Sequence, residues 1–164
     1  MKVFLPLLVV MCLATSAISQ EQTAAFGTIA EDSSQPINAE ADRMEVDELT
    51  GIITMYDDVV ITQGNTKLTA EFVEIFQNME LSEIETVNAK GSVYLESSGD
   101  LATGDEVTYD VKARMLYLTG NAFLQKVDNT ISAPYIEVNT QTGSASMNGR
   151  VSTTLLPGGS SSEQ

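Results

Sequence analysis

A catalytic chain must bring a nucleophile, a base or a metal to its substrate, and here the candidate groups are almost all carboxylates. The 164 residues hold 23 Asp and Glu against 8 Lys and Arg, one cysteine, and no histidine or tryptophan. Without His, and with the single Cys at position 12, neither a nucleophile–base triad nor an ordinary zinc site has residues to be built from. Paired carboxylates remain, the engine of glycoside hydrolysis, and the pairs by type are Asp57-Asp58, Glu83 with Glu85, and Asp105-Glu106. Adjacent strand residues point to opposite faces, so the consecutive pairs cannot aim at one bond unless a bulge intervenes. Asp57-Asp58 reads as a turn, where Asp is favoured for backbone reasons. None of these groups has the regular loop spacing of a calcium site. The expectation is a non-enzymatic protein without metal.

The N-terminus predicts a secretory leader over residues 1–19. Lys2 gives a positive start, Val3 to Leu13 is apolar apart from Pro6 and Cys12, and Ala17-Ile18-Ser19 supplies small residues for cleavage. The run is too short to span a bilayer, and Met11 before Cys12 is wrong for lipid attachment. Cleavage after Ser19 removes the only cysteine and leaves 7 basic side chains against 23 acidic ones, a net charge of −16. Such a chain is not a nucleic-acid binder, because duplex binding relies on Lys and Arg neutralising phosphates. The excess charge suits solubility in an open compartment.

Something must position whatever this chain binds, and the pattern points to strands. Residues 20–36 form a polar segment read as flexible, a single domain is expected over 37–156, and Pro157-Gly158-Gly159-Ser160 opens a flexible tail over 157–164. Within the domain, Met44-Glu45-Val46, Ile53-Thr54-Met55, Val59-Val60-Ile61, Val93-Tyr94-Leu95, Val107-Thr108-Tyr109 and Leu116-Tyr117-Leu118 alternate with period two. Only Thr69 to Ser82 competes as a helix, through the spacing of Phe72, Ile75, Phe76 and Met79.

An internal repeat decides for strand. Ala39–Ile75 lies over Ala102–Val138 without a gap at an offset of 63, with identities at Ala39/Ala102, Asp42/Asp105, Asp47/Asp110, Ala70/Ala133 and Glu74/Glu137. Leu68–Ile75 thereby matches Ile131–Val138, which contains Pro134 and reads as strand. A finer period sits inside. Ala41-Asp42 recurs as Ala70-Glu71, Gly104-Asp105 as Ala133-Pro134, and Gly91, Gly120 and Gly149 are each 29 residues apart. A 29-residue unit holds about two strands and cannot bury an apolar face alone, so neighbouring units must stack into one interior. The small residue in each pair marks a bend where backbones come close.

In this order and spacing the motifs resemble the OstA-like domain of the LptA/OstA family. Ala39-x-Ala41-Asp42-x-Met44-x-Val46-Asp47 is similar to its opening strand, and Thr50-Gly51-Ile52-Ile53-Thr54-Met55-Tyr56 to its turn and second strand. Val59-Val60-Ile61-Thr62-Gln63-Gly64, Leu68-Thr69-Ala70-Glu71, Ala89-Lys90-Gly91-Ser92-Val93, Gly104-Asp105 and Leu118-Thr119-Gly120-Asn121-Ala122 continue it over nearly the whole domain. Asp57-Asp58 departs from the pattern, which has glycine before its Asn or Asp. The resemblance implies an all-β fold, a twisted antiparallel β-jellyroll or rolled sheet open at both ends. It also implies passage of lipopolysaccharide through the periplasm between an inner-membrane extraction complex and an outer-membrane insertion complex, without a cofactor.

The physics of a lipid cargo agrees. Burying a methylene gains about 0.8 kcal/mol, so a fourteen-carbon acyl chain in water costs roughly 10 kcal/mol and needs a continuous apolar path. The residues expected to line it and meet the lipid A acyl chains are Met44, Val46, Ile53, Met55, Val59, Ile61, Val73, Ile75, Val93, Leu95, Val107, Leu116, Leu118, Leu124, Ile136 and Val138. The same positions would also form an ordinary β core. An open roll leaves unpaired backbone groups on its terminal strands, Ala41–Val46 and Ser146–Thr154, neither of which contains proline. These edges are templates for head-to-tail homo-oligomers or for the two membrane complexes. The alternative functions are an adaptor that joins partners by strand addition without lipid, and an acidic carbohydrate-active enzyme on a β-solenoid.

Overall fold

The computed structural model describes residues 35–126 and 129–156, so the leader over 1–19, most of the polar segment and the 157–164 tail lie outside the described residues. Ten strands follow one another: β1 (Ile37–Glu40), β2 (Arg43–Asp47), β3 (Ile52–Gln63), β4 (Thr66–Asn78), β5 (Glu83–Ser97), β6 (Asp100–Asp110), β7 (Met115–Lys126), β8 (Asn129–Asn139), β9 (Ala145–Asn148) and β10 (Ser152–Thr154). They form one antiparallel sheet in the order β1-β3-β4-β5-β6-β7-β8-β10, with β2 also on β3 and β9 also on β8. The segment with competing helical spacing is strand over Thr66–Asn78, as its repeat partner requires.

The repeat has a structural meaning at the turns. Asp47 Oδ1 accepts from the Leu49 and Thr50 amides at 2.9 and 3.3 Å, and Asn78 Oδ1 from Glu80 and Leu81 at 3.1 Å each. Asp110 Oδ1 accepts from Ala113 at 2.8 Å, and Asn139 Oδ1 from Gln141 and Thr142 at 3.0 and 2.9 Å. Short side chains that fold back on their own backbone nucleate these four connections along one side of the sheet. Hydrogen bonds from the Leu49 and Thr50 backbone and the Thr50 side chain hold the Asp47 carboxyl below its ordinary range.

Every long strand is broken in the middle. Pairing registers shift at Tyr56/Val59, Thr69/Phe72, Lys90/Val93, Thr103/Glu106 and Thr119/Ala122. At these points Asp57-Asp58 on β3, Gly91-Ser92 on β5 and Gly120-Asn121 on β7 all have positive φ. They alternate with Ala70-Glu71, Gly104-Asp105 and Ala133-Pro134 on β4, β6 and β8. A bulge bends its strand, and a row of bulges in register folds the whole sheet along a crease.

Three expectations are corrected by this crease. Asp57-Asp58 is not a turn between two strands but the bulge inside one twelve-residue strand. The first strand, expected over Ala41–Val46, is β1 and β2 on either side of Ala41-Asp42, and the last, expected over Ser146–Thr154, is β9 and β10 on either side of the Gly149 bend. The departure from glycine at position 57 does not alter the geometry, because Asp57 and Asp58 adopt φ of 59° and 46° as Asp tolerates.

Folded along the crease, the sheet becomes two facing half-sheets. One carries Val59, Ala70, Val93, Leu95, Ala102, Ala122, Leu124 and Ala133 inward, and the other Met55, Val73, Ile75, Ala89, Val107, Leu116, Leu118, Ile136 and Val138. All of them join one core. Among the described residues the sheet does not close, since β1 and β2 pair only with β3, and β9 and β10 only with β8. The architecture is the all-β, rolled antiparallel jellyroll of the sequence reading.

Candidate functional site

Between the half-sheets lies an open cavity of about 580 Å³. Ile37, Ile61 and Leu68 line it from one half-sheet, and Ile75, Val87, Ala89, Val107 and Leu116 from the other. Its mouth is polar: Gln63 and Thr66 lie at one hairpin end, Ser82 and Glu83 at the turn of another. Alternation produces this division. Inward residues of each strand are apolar until the hairpin tip, where the chain must turn in contact with water.

Beside the mouth, Thr66 and Ser97 share a side-chain hydrogen bond of 2.9 Å, and Ser97 is fully buried. Asp100 next to them is 8% exposed. Burial pushes its carboxyl up from the ordinary value, against the opposing charge of Lys126. One side of the mouth is thus a row of short polar groups, and the other is Ser82 with the start of β5 at Glu83 and Ile84.

The sequence-predicted lining falls into three groups. Twelve of its members are buried in the common core: Met55, Val59, Val73, Ile75, Val93, Leu95, Val107, Leu116, Leu118, Leu124, Ile136 and Val138. Of these, Ile75, Leu95, Val107 and Leu116 border the cavity, as does half-buried Ile61. Ile53 packs against the core. Met44 and Val46 are 45% and 61% exposed. They pair with Met55 and Ile53 and face the same way, but β2 is an edge strand and they stand at the open end of the roll.

Sequence reasoning missed part of the cavity wall. Leu68, Ile84, Val87, Tyr109 and Val111 border it. Leu68 was legible as the repeat partner of Ile131, and Val87 through its alternation with Ala89; Ile84 lies beyond the repeat. The five buried alanines, Ala70, Ala89, Ala102, Ala122 and Ala133, flank the crease.

The carboxylate pairs do not converge. Glu85 accepts from Asn78 Nδ2 at 2.9 Å, Asp105 from Asn121 Nδ2 at 2.9 Å, and Glu106 pairs with Lys90 at 3.0 Å. Asp57 and Asp58 are exposed on the outer side of the crease. Glu83 alone reaches the cavity, at its rim. Among the described residues no three metal-ligating side chains come together.

The edges of the sheet are a second feature of the roll. Among the described residues, β1 and β2 at one end, and β9 and β10 at the other, have no strand along their outer sides. Exposed apolar residues accompany both: Ile37, Met44 and Val46 at the first edge, Val151, Leu155 and Leu156 at the last.

Comparison with known proteins gives a consistent result. Residues 18–144 match the family model described as LptA/(LptD N-terminal domain) LPS transport protein. The lipopolysaccharide export system protein LptA of Haemophilus influenzae is 34% identical over 159 residues, covering 90% of this chain and 91% of its own. The lipopolysaccharide export system protein LptH of Pseudomonas aeruginosa is 32% identical over 131 residues, 73% of this chain and 74% of its own. The crystal structure of LptH, described as the LptA-homologous periplasmic component of the lipopolysaccharide transport device of Pseudomonas aeruginosa, superposes with a TM-score of 0.70 at 28% identity. It covers 77% of this chain and 99% of that one.

Proposed function

Because this chain belongs to the LptA/(LptD N-terminal domain) family of LPS transport proteins, we propose that it binds lipopolysaccharide by its acyl chains and conveys it across the periplasm to the outer membrane. The observation that carries the reading is an apolar cavity held open between two half-sheets, with a polar mouth. An acyl chain of fourteen carbons leaves water with a gain on the order of 10 kcal/mol when it enters such a space. The sugar and phosphate groups stay outside, in water, away from a wall of Ile, Leu and Val and a molecular surface that is strongly acidic. No covalent chemistry is required of the chain. Its work is to match the apolar area of the cargo along a path through an aqueous compartment.

The path is continued at its ends. The inner-membrane extraction complex and the outer-membrane insertion complex each supply a strand to one of the free edges, so that their own apolar surfaces join this one. Export through a cleaved leader puts the chain where both can reach it.

A photo-crosslinking amino acid at Ile61 or Leu68, which line the cavity, captures lipopolysaccharide in cells, and the same group at Thr62 or Lys67, their alternating neighbours, does not. Equal capture on both faces, or none on either, would overturn the reading.

A further inference from the structure

The outer side of the crease carries a second concavity, on the opposite face of the sheet from the groove. It is a shallow cleft of about 280 Å³, lined by Ser92, Tyr94, Thr103, Asp105 and Asn121 of β5, β6 and β7. Tyr94 and Thr103 stand opposite each other. They alternate with buried Val93, Leu95 and Ala102, so both face away from the interior. Asp105 lies between two bulges. Gly91-Ser92 oppose it on one side, between the pairs Lys90/Glu106 and Val93/Gly104, and Gly120-Asn121 on the other, between Thr103/Phe123 and Glu106/Thr119. Its carboxylate is fixed there. Asn121 Nδ2 donates to Asp105 Oδ2 at 2.9 Å, and a Cβ at Gly120 would collide with the same side chain. Ser92 and Asn121 have φ of 47° and 48°, a conformation that non-glycine residues keep only where their surroundings impose it. Tyr94 is 37% exposed, and its hydroxyl donates to Glu96 at 3.2 Å.

This set of groups matches the two surfaces of a sugar ring, hydroxyls around its rim and C–H bonds on its face. Asp105 accepts hydrogen bonds, the Asn121 amide donates and accepts, and the Ser92 and Thr103 hydroxyls do either. Tyr94 brings a rigid aromatic surface with a polar tip. We infer that the cleft binds a neutral hexose or N-acetylhexosamine unit of a glycan. Charge selects such a ligand. An anion would meet Asp105 on a chain with 23 acidic and 8 basic residues, and Lys90, two residues before Ser92, is paired with Glu106 at 3.0 Å. A metal ion finds no three ligating side chains together among the described residues. Small-molecule clefts run from roughly 300 Å³ upward, so this one suits a single ring of a longer chain. The rest of the crease lacks the combination. Glu71 lies beside Asp57-Asp58 in a mainly acidic stretch, Pro134 offers no polar group, and the positions equivalent to Tyr94 after the other two bulges are Val60 and Phe123. The inference goes beyond lipid transport, since cargo held between the half-sheets leaves the outer face uncovered and the chain can grip a glycan while its interior is occupied.

The test titrates the exported full chain with two soluble saccharides while backbone amide shifts are followed by NMR. One is chitotetraose, a neutral N-acetylated glycan; the other is the saccharide of lipopolysaccharide freed of its acyl chains. Chitotetraose is expected to give saturable shifts at Ser92, Tyr94 and Asn121. Tyr94→Ala and Asn121→Gly, the latter keeping the positive φ, each lower its affinity about ten-fold. Tyr117→Ala, which removes an outward tyrosine from the other half-sheet between buried Leu116 and Leu118, leaves it unchanged. Saturable shifts with the freed saccharide alone overturn the choice of a neutral glycan and give the cleft to the cargo's own sugars. Shifts at Leu68 and Val87 instead, no response at the cleft up to the solubility limit, or equal losses in Tyr94→Ala and Tyr117→Ala overturn the sugar site itself. Lipopolysaccharide capture at Ile61, expected to be the same in all three variants, tests the transport reading separately.

Discussion

The two ends of the interior are built from the same alternating pattern and do different things. On β3–β5, Ile61, Leu68, Ile84 and Val87 are half-buried around the cavity while Met55, Val59, Val73 and Val93 on the same strands are buried, and Ile37, Met44 and Val46 reach open solvent. On β7 and β8 most inward residues lie away from the cavity. Leu118, Ile136 and Val138 are essentially inaccessible, and Thr140 is buried with its hydroxyl donating to the Arg114 carbonyl at 3.1 Å. The hairpin that departs most from the repeat, β4–β5, has an extra register shift at Phe76/Gln77, and its turn forms part of the cavity rim. Part of the interior is an open groove, and the rest is one packed core that runs from β3 to β8.

That contrast can be broken by truncation. Leu118→Ala or Ile136→Ala leaves a void in a packed region and is expected to cost about 3 kcal/mol. Ile84→Ala, on the cavity wall, is expected to cost about 1 kcal/mol. Urea unfolding followed by circular dichroism measures both, and equal losses would mean the two ends are packed alike.

The crease offers a second comparison along the same axis. Gly120→Val puts a branched side chain at φ +70° and against Asp105, with an expected cost of about 2 kcal/mol. At the equivalent position near the groove, Asp57→Gly relieves a non-glycine residue at φ 59° and should raise stability by about 0.5 kcal/mol or slightly more. A loss at position 57 would show that its side chain has a positive role there.

Filling the groove separates binding from folding. Val87→Trp occupies the cavity and is expected to lower lipopolysaccharide capture about ten-fold, a change of about 1.4 kcal/mol, with little shift in the thermal midpoint. Ile136→Trp, in the packed end, is expected to destabilise the fold by about 1–3 kcal/mol through overpacking. Parallel binding and melting measurements distinguish them.

The smallest effect lies at the mouth. The Asp100 carboxyl is raised by burial, so the folded state holds its proton more tightly than the unfolded chain does. Its contribution to stability is then greatest below the unfolded carboxylate pKa and is lost as pH rises through the folded value. Asp100→Asn is expected to melt slightly higher than the parent at pH 7, with the difference vanishing near pH 4. A difference that grows on acidification would reverse the assignment.

Strands, faces and repeat were legible because alternation and the 29-residue spacing both follow from the sheet itself. Ala41-Asp42, Ala70-Glu71 and Gly104-Asp105 were read as bends, and the crease runs through them. Asp57-Asp58 was misread, because the property that suits Asp to a turn, its tolerance of positive φ, also suits it to a bulge within a strand. The cavity was not legible. Period two says which way Leu68 or Val87 points, but not how far the opposite half-sheet stands from it. For the same reason Met44 and Val46 were placed on the correct face without any sign that the edge leaves them uncovered.

The order of the strands has a consequence for how the chain reaches its native state. From β3 to β8 each strand pairs with the next one in sequence, and among the described residues the two broken end strands pair with β3 and β8 alone. No segment waits for a distant partner, so loop-closure entropy is small at each step and topology favours rapid folding. A chain delivered from its N-terminus can add one hairpin at a time to the sheet already formed. At every stage the growing front is a bare strand, ready for the next hairpin and equally ready for a strand of another molecule. The bare front is thus an aggregation hazard throughout synthesis, and quick local closure is what limits the exposure.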